Sequence, residues 1–136
     1  MRPHLFSVRV YYEDTDFSGA VYHANYARFM ERGRTEMLRA LGVEQGAAMA
    51  GEAFGFVVRS IGIEFLKPAR MDDLLTVETT PVEIGGATMT LDQRVSRGGE
   101  ILATARVRVA CVVRGKAGRM PREVREKLAR GLPEDA

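Results

Sequence analysis

The period of the apolar positions changes along the chain, and each change predicts a different kind of secondary structure. Residues 5–12 are rich in β-branched and aromatic side chains, which is typical of a strand. From about residue 24, apolar residues recur every three or four positions and predict an amphipathic helix, with the stripe Tyr26, Phe29, Met30, Gly33, Met37, Leu38 and Leu41. We expect Asn25 or a neighbour to cap the start of this helix and Gly42 to end it.

Beyond residue 56, apolar side chains occupy every second position, which is the period of a strand. Glycine pairs at 85–86 and 98–99 separate the later rows and are typical of hairpin turns. The pattern therefore predicts four consecutive strands in an antiparallel meander. The four rows are Val57, Arg59, Ile61, Ile63 and Phe65; Leu75, Val77 and Thr79; Ala87, Met89, Leu91, Gln93 and Val95; and Ile101, Ala103, Ala105, Val107, Val109, Cys111 and Val113.

Together these elements predict one α+β domain over residues 1–136, with a five-stranded antiparallel sheet and one long helix. A short C-terminal helix is expected at about 121–130, with Val124 and Leu128 as its apolar contacts. Gly33 lies within the stripe of the long helix, where glycine costs about 1 kcal/mol relative to alanine, so the helix is expected to press closely on the sheet there. Because one helix cannot cover both faces of a sheet, we expect self-association through an edge strand or the open face.

Composition and charge narrow the class of protein. The 136 residues carry 20 basic and 18 acidic side chains, a net charge of +2 that is too small for nucleic-acid binding by bulk charge. Cations concentrate between Arg114 and Arg130, which indicates either a solvated helix face or a site for an acidic partner. Cys111 is the single cysteine, and no signal peptide or run of 18 apolar residues occurs. We therefore expect a cytoplasmic protein without membrane insertion.

Several common kinds of site are excluded by the residues available. The chain has only His4 and His23, no Gly-x-Ser-x-Gly elbow, and no nucleotide-binding glycine motif, so neither a hydrolase triad nor a cofactor is expected. Cys111 falls on a central apolar row, which indicates a core residue rather than a nucleophile. The start of 14–25 copies half of a calcium loop, but its twelfth position is Asn25 instead of glutamate, so no metal is expected.

The remaining chemistry lies between the first strand and the long helix, at Asp14, Asp16, Tyr22 and His23. One interpretation is that both aspartates only accept hydrogen bonds from loop amides. The other is that a carboxylate faces the free N–H groups of the helix start, where an acyl oxygen can be held. Such a site would suit a thioester, because a thiolate leaves readily. Neighbouring acids raise the pKa of Asp16 and the helix end lowers it, and the sequence leaves this balance open.

Three motifs at this point strongly resemble one known family. They are Val8-Arg9-Val10-Tyr11-Tyr12-Glu13-Asp14-Thr15-Asp16, then Gly19-x-Val21-Tyr22-His23-Ala24-Asn25-Tyr26, then Glu31-Arg32-x-Arg34-Thr35-Glu36-Met37-Leu38, with further matches at 57–59 and 68–73. They are similar to the hotdog-fold acyl-CoA thioesterases, within them the Tol-Pal-associated branch, related to the 4-hydroxybenzoyl-CoA thioesterases. The resemblance implies a five-stranded sheet wrapped around the helix, and assembly into dimers and usually tetramers.

The same resemblance implies roles for individual residues. Asp16 would be the catalytic carboxylate, as nucleophile or general base, and the backbone N–H near His23 would polarise the thioester carbonyl. Tyr22 and the His23 ring would shape the pocket. A related branch takes its carboxylate from the long helix, where Glu31 is the nearest residue, but Glu31 ranks below Asp16 because ion pairs along the helix explain it.

One contact that some relatives make with the phosphates of coenzyme A is absent from this sequence. Some relatives carry basic residues at the turn where this chain has Ile84-Gly85-Gly86-Ala87, so phosphate binding is expected at Arg59, Lys67 or Arg70, or on the basic C-terminal segment. The expected protein is a homotetramer, a dimer of dimers, that hydrolyses an acyl-CoA without a metal. Two alternatives are a module that binds acyl carrier protein or lipid-synthesis enzymes with residual hydrolysis, and an enoyl-CoA hydratase of the same fold.

Overall fold

A computed structural model describes residues 2–43 and 54–132 of the chain. Residue 1, 44–53 and 133–136 of the predicted single domain lie outside the described residues. The elements, in chain order, are β1 His4–Arg9, a 3-10 helix Tyr12–Asp14, α1 His23–Ala40, β2 Phe54–Phe65, β3 Leu74–Ile84, β4 Thr88–Arg97, β5 Glu100–Val113, β6 Lys116–Ala117 and α2 Arg122–Arg130. The α+β class, the antiparallel sheet and the long helix are therefore confirmed, and the described residues form six strands rather than five. In the described ranges, no helix is both long and apolar enough to cross a membrane.

The strand order is β1-β3-β4-β5-β2, with the short β6 paired to β5, and every pairing is antiparallel. The hairpins β3–β4 and β4–β5 confirm part of the expected meander, but the predicted pairing of β2 with β3 is wrong. Strand β1 occupies the free edge of β3, from His4↔Thr79 to Arg9↔Leu74. Strand β2 instead pairs with β5 at the opposite edge, so the chain crosses the sheet between β2 and β3.

A β-bulge in β2 also corrects the predicted apolar row. Val58 pairs with Val109 and Ser60 with Arg108, so Arg59 is an extra residue that shifts the alternation by one. Cross-strand partners share a face, and the partners that line the core are the odd-numbered residues of β5. The row on the helix side is therefore Phe54, Phe56, Val58, Ile61, Ile63 and Phe65, without Val57 or Arg59.

Helix α1 lies closest to the sheet at Gly33, which has no side chain to hold the two apart. A Cβ atom on Gly33 would lie 2.7 Å from Val77 Cγ1 and 3.2 Å from Thr79 Oγ1, so the close approach predicted there is confirmed. The helix ends as expected at Gly42, whose φ is +87°. The Val43 N–H donates to the Leu38 carbonyl at 2.7 Å and satisfies one of the last helical acceptors.

The helix packs on β1, β3 and β4, and this placement leaves a groove between α1 and the edge strand β2. Strand β1 is shorter than the predicted 5–12, because Asp14 turns the chain into the 3-10 helix by accepting the Tyr11 N–H at 2.8 Å. Helix α2 closes the end of the fold with Val124 and Leu128 buried, as predicted. The open groove beside α1 is where the candidate site lies.

Candidate active site

The loop that carries Asp16 is a tight, internally bonded turn. The Asp16 N–H donates to the Ala20 carbonyl at 2.9 Å, and the Gly19 N–H donates to the Asp16 carbonyl at 3.0 Å. Gly19 adopts a φ of +84°, a left-handed conformation that glycine reaches without strain. Thr15 and Val21 pair across the base of the loop. The loop therefore holds Asp16 at its rim, just before the start of α1.

The Asp16 carboxylate is exposed and has one close neighbour, Ser18. Its Oδ1 accepts the Ser18 hydroxyl at 2.5 Å and the Ser18 N–H at 2.8 Å. The hydroxyl and then the amide of Ser18 lower the pKa of Asp16 below the usual carboxyl value, desolvation opposes them, and the charge of His23 lowers it further. The pKa of Asp16 is thus lowered chiefly by Ser18, and neither the neighbouring acids nor the helix end, which the sequence set against each other, is among the causes.

Asp14 has a structural position that the sequence did not distinguish from that of Asp16. It is buried, and its Oδ1 accepts the Asn25 side-chain N–H at 3.0 Å while its main-chain carbonyl accepts the Tyr22 N–H at 2.9 Å. The expectation that Asn25 caps the helix is wrong, since Asn25 lies inside the first turn and turns its amide towards Asp14. Its neighbour Tyr22 occupies the cap position without a side-chain cap bond. Asp14 therefore joins the loop to the helix start.

The first turn of α1 presents free backbone donors. The Asn25 N–H donates to the Tyr22 carbonyl at 2.8 Å, whereas the amides of His23 and Ala24 have no backbone acceptor in the part of the chain that the structure describes. The His23 ring lies 4.5 Å from the Tyr22 ring and 6.2 Å from the Phe65 ring, measured between centroids. Two donors and the positive end of the helix dipole are thus available to a bound oxygen.

A depression of about 250 Å³ adjoins these donors. Its lining residues come from the start of α1 and the end of β2, and they are Val21, His23, Tyr26, Phe65, Leu66, Lys67 and Pro68. The Tyr26 hydroxyl accepts the Ala69 N–H at 3.0 Å, and the Val21 N–H donates to the Ala69 carbonyl at 2.8 Å. Asp16 and Tyr22 do not line this depression. Asp16 belongs to the loop that borders the depression through Val21, and the Tyr22 ring is a neighbour of the His23 ring.

The three predicted phosphate-binding cations are placed differently. Lys67 lines the depression and pairs with Glu100 at 2.7 Å. Arg70 is exposed, and its backbone pairs with Ala20 at the end of the Asp16 loop. Arg59 lies in the bulge of β2, six residues before Phe65 and therefore about 20 Å away along the strand. Within one chain, Lys67 lines the depression, Arg70 joins the Asp16 loop through its backbone, and Arg59 is distant.

Glu31 is remote from these donors. It lies eight residues after His23 on α1, about 12 Å along the helix axis, and it lines a second cavity.

Sequence reasoning missed a chain of ion pairs that supports the loop at 66–73. Arg97 binds Asp73 at 2.7 Å and Glu100 at 2.6 Å, and Glu100 binds Lys67. Asp73 Oδ2 also accepts the Arg70 N–H at 2.8 Å. The available signal was the glycine pair at 98–99, since a two-residue hairpin turn places residues 97 and 100 opposite each other.

Comparisons with known proteins agree with this geometry. The family model for the thioesterase superfamily matches residues 18–104, more than half of the chain. The acyl-CoA thioesterase YbgC of Haemophilus influenzae is 49% identical over 111 residues, which are 82% of each chain. The crystal structure of a probable thioesterase from Bartonella henselae has a TM-score of 0.84 at 43% identity and covers 88% of this chain and 100% of that one.

A more distant structure shows how far the fold extends. The 1,4-dihydroxy-2-naphthoyl-CoA thioesterase Slr0204 from Synechocystis has a TM-score of 0.86 at 20% identity, covering 94% of this chain and 96% of that chain, and indicates the fold alone. With a loop carboxylate, free donors at the helix start and an adjoining depression in place, the chain belongs to the thioesterase superfamily.

Proposed function

We propose that this protein hydrolyses acyl-CoA thioesters to the free acid and coenzyme A, with Asp16 as the catalytic carboxylate. The observation that carries the proposal is the free backbone amide of His23 at the start of α1, because His23 lines a depression next to the Asp16 loop. The relative from Haemophilus influenzae, named an acyl-CoA thioesterase, supports the substrate class. Lys67 and Arg70 are the proposed contacts for the phosphates of coenzyme A.

In the proposed reaction, the thioester oxygen accepts hydrogen bonds from the amides at the helix start, and the carbonyl carbon becomes more electrophilic. In one route, the Asp16 carboxylate attacks this carbon, coenzyme A leaves as its thiolate, and water hydrolyses the mixed anhydride. In the other, Asp16 removes a proton from water as the water oxygen attacks, and the tetrahedral intermediate then expels the thiolate. Tyr22 and the His23 ring fix the approach to the donors.

The test is thiol release from a panel of acyl-CoAs by the purified protein. Asp16→Asn is expected to lower turnover about 100-fold or more, since it removes the base or nucleophile. Asp72→Asn is the matched control, because Asp72 is exposed with a φ of 72°, a conformation that asparagine also adopts. Wild-type turnover in Asp16→Asn would refute the assignment. Rapid quench of a single turnover followed by mass spectrometry separates the routes, since only the nucleophilic route places the acyl group on Asp16.

We further propose a homotetramer built as a dimer of dimers, acting in the cytoplasm. In the described part of the chain, β2 is paired on one side only, and it exposes Val57, Val58, Ile61 and Phe65. A second copy pairing antiparallel on this edge would return its Arg59 towards the first copy's Phe65, which would bring that cation to the site. The finer assignment to the Tol-Pal-associated branch has the support of the motif resemblance.

A second candidate function is a docking module for acyl carrier protein or lipid-synthesis enzymes. Five exposed cations near the C-terminus have no acidic partner among the described residues, and they are Arg114, Lys116, Arg119, Arg125 and Arg130. This surface suits an acidic carrier. Reversing Arg125 and Arg130 to glutamate should weaken capture of acyl carrier protein and leave hydrolysis of free acyl-CoA in place. Unchanged capture would exclude this function.

A further inference from the structure

The groove between α1 and β2 holds a second cavity, separate from the depression at the helix start. Its volume is about 300 Å³, and its apolar wall comes from α1, β2, β4 and β5, including Leu38, Phe56, Leu91 and Val109. Polar side chains line it only from α1, where Glu31, Arg34 and Thr35 stand on one side. The cavity therefore combines an apolar body with a small number of placed polar groups, as ligand sites do.

Arg34 is fixed in this wall by a buried network. Its Nη1 donates to Gln93 Oε1 at 3.0 Å, and Gln93 is almost fully buried. The Gln93 amide donates to the Met30 carbonyl and to Thr79 Oγ1, each at 2.9 Å. Every polar atom of the Gln93 side chain is thus bonded, so the glutamine holds the guanidinium at a fixed place.

The other nitrogen donors of the Arg34 guanidinium make no hydrogen bond among the described residues. Neither its Nε nor its Nη2 has an acceptor within residues 2–43 and 54–132. Desolvation lowers the pKa of Arg34, and the charge of Glu31 acts against this shift, although no ion pair joins the two side chains. A half-buried cation with free donors in an apolar cavity favours a ligand that brings a negative charge.

The negative charge of Glu31 disfavours an anionic ligand in this cavity. Glu31 is exposed and stands one helical turn before Arg34 on the same wall, so it repels an anion that approaches Arg34. The Arg34 guanidinium reaches the side chain of Gln93, which is itself bonded to the Met30 carbonyl one turn earlier on α1. The cavity and the proposed thioester site both lie between α1 and β2, some 12–16 Å apart along the helix axis.

We propose that this second cavity receives the far end of the acyl group and that Arg34 selects acyl groups ending in a carboxylate. This inference rests on the proposed thioesterase function, since it assigns the substrate class of that site. The carboxylate would accept the free Nε and Nη2 donors in a two-point contact, the geometry that guanidinium offers best. Coenzyme A esters of dicarboxylic acids are therefore the expected substrates.

The experiment compares ω-carboxyacyl-CoAs of four to twelve carbons with methyl-terminated esters of the same length, using the full chain. The measured quantity is the ratio of the two kcat/KM values at each length. For the best length, Arg34→Met should lower this ratio about tenfold or more, and Arg34→Lys should retain part of it. Glu31→Gln should raise the ratio, because it removes the repulsion and leaves Arg34 in place.

The outcomes separate the two proposals. If wild-type protein hydrolyses neither ester, the thioesterase function itself fails. If it hydrolyses both and the ratio is the same in wild type and Arg34→Met, the carboxylate preference is refuted while the function stands. Should Arg34→Met lose turnover of the methyl ester as well, Glu31→Gln decides, and a ratio that does not rise would overturn the assignment.

Discussion

The charge state of Asp16 depends on one neighbouring side chain. The Ser18 hydroxyl donates to the carboxylate at 2.5 Å and is the main cause of its lowered pKa. A carboxylate must be ionised to attack or to accept a proton, so the hydrolysis proposed for Asp16 is expected to be lost as the pH falls through this pKa. In that proposal, Ser18 extends the working range of the site towards acid.

Ser18→Ala should consequently move the acid limb of kcat/KM to higher pH, since the Ser18 amide alone remains to stabilise the ionised form. The pH profile of thiol release measures this shift. Ser7→Ala, an exposed serine on β1, is the control and should leave the profile in place. An acid limb that stays where it was in Ser18→Ala would mean that Asp16 is not the group that titrates.

Asp14 and Asn25 form a buried pair whose two members can be exchanged. Asp14→Asn and Asn25→Asp should each lower the free energy of unfolding by about 1–3 kcal/mol. The first leaves one acceptor oxygen for the N–H groups of Tyr11 and Asn25, and the second places two carboxylates in contact. The double variant restores a donor opposite an acceptor and should recover much of the loss. Urea denaturation of the four proteins gives the coupling energy. Additive effects in the double variant would contradict a direct hydrogen bond.

This pair shows where sequence reasoning stops at the residue scale. The local pattern of alternating acids does not distinguish Asp14 from Asp16, and only the family resemblance singled out Asp16. Only the folded chain distinguishes the two aspartates. Asp14 is hydrogen-bonded to Asn25, eleven residues away in the sequence, whereas Asp16 is hydrogen-bonded to Ser18, two residues away. A short-range bond is visible in the sequence as a turn, whereas the longer contact depends on how the helix is placed.

At the scale of elements, α1 depends on the absence of a side chain at Gly33. Gly33→Ala would gain about 1 kcal/mol of helix propensity, yet its Cβ would lie 2.7 Å from Val77 Cγ1. We expect a net loss of about 1–3 kcal/mol in the free energy of unfolding, measured in urea. Gly62→Ala on β2 is the control, because a Cβ added there would meet no atom within 4 Å. Equal stability of both variants would show that the helix shifts freely.

The sequence predicts the helices and most strands correctly but not which strands pair, and the difference has a physical reason. The helix, the hairpins and Gly33 follow from spacing between near neighbours, and the structure confirms them. The neighbour of β2 depends on which edge is free once β1 has paired with β3, and no local pattern records that. The bulge at Arg59 likewise reverses the faces of the residues before it, because one extra residue shifts a period of two.

At the scale of the whole molecule, the unpaired edge of β2 determines the proposed assembly. Ile61→Lys should convert the proposed oligomer to a smaller species, because it places a charge at the centre of an apolar edge. Light scattering after size-exclusion chromatography measures the mass. Val82→Lys, on the exposed bulge of β3, is the control and should leave the mass unchanged. An unchanged mass in Ile61→Lys would place the interface elsewhere.

The tip of the β4–β5 hairpin has a consequence for protein engineering. Its two glycines, at φ +55° and +87°, set Arg97 opposite Glu100, and those side chains bind Asp73 and Lys67. A peptide tag or fluorophore inserted at this tip would separate these ion pairs from the Lys67 segment and so disturb the proposed contact of Lys67 with coenzyme A from a distant position. The turn at Gly115 carries no such ion pairs among the described residues, so a label there would leave the Lys67 segment intact.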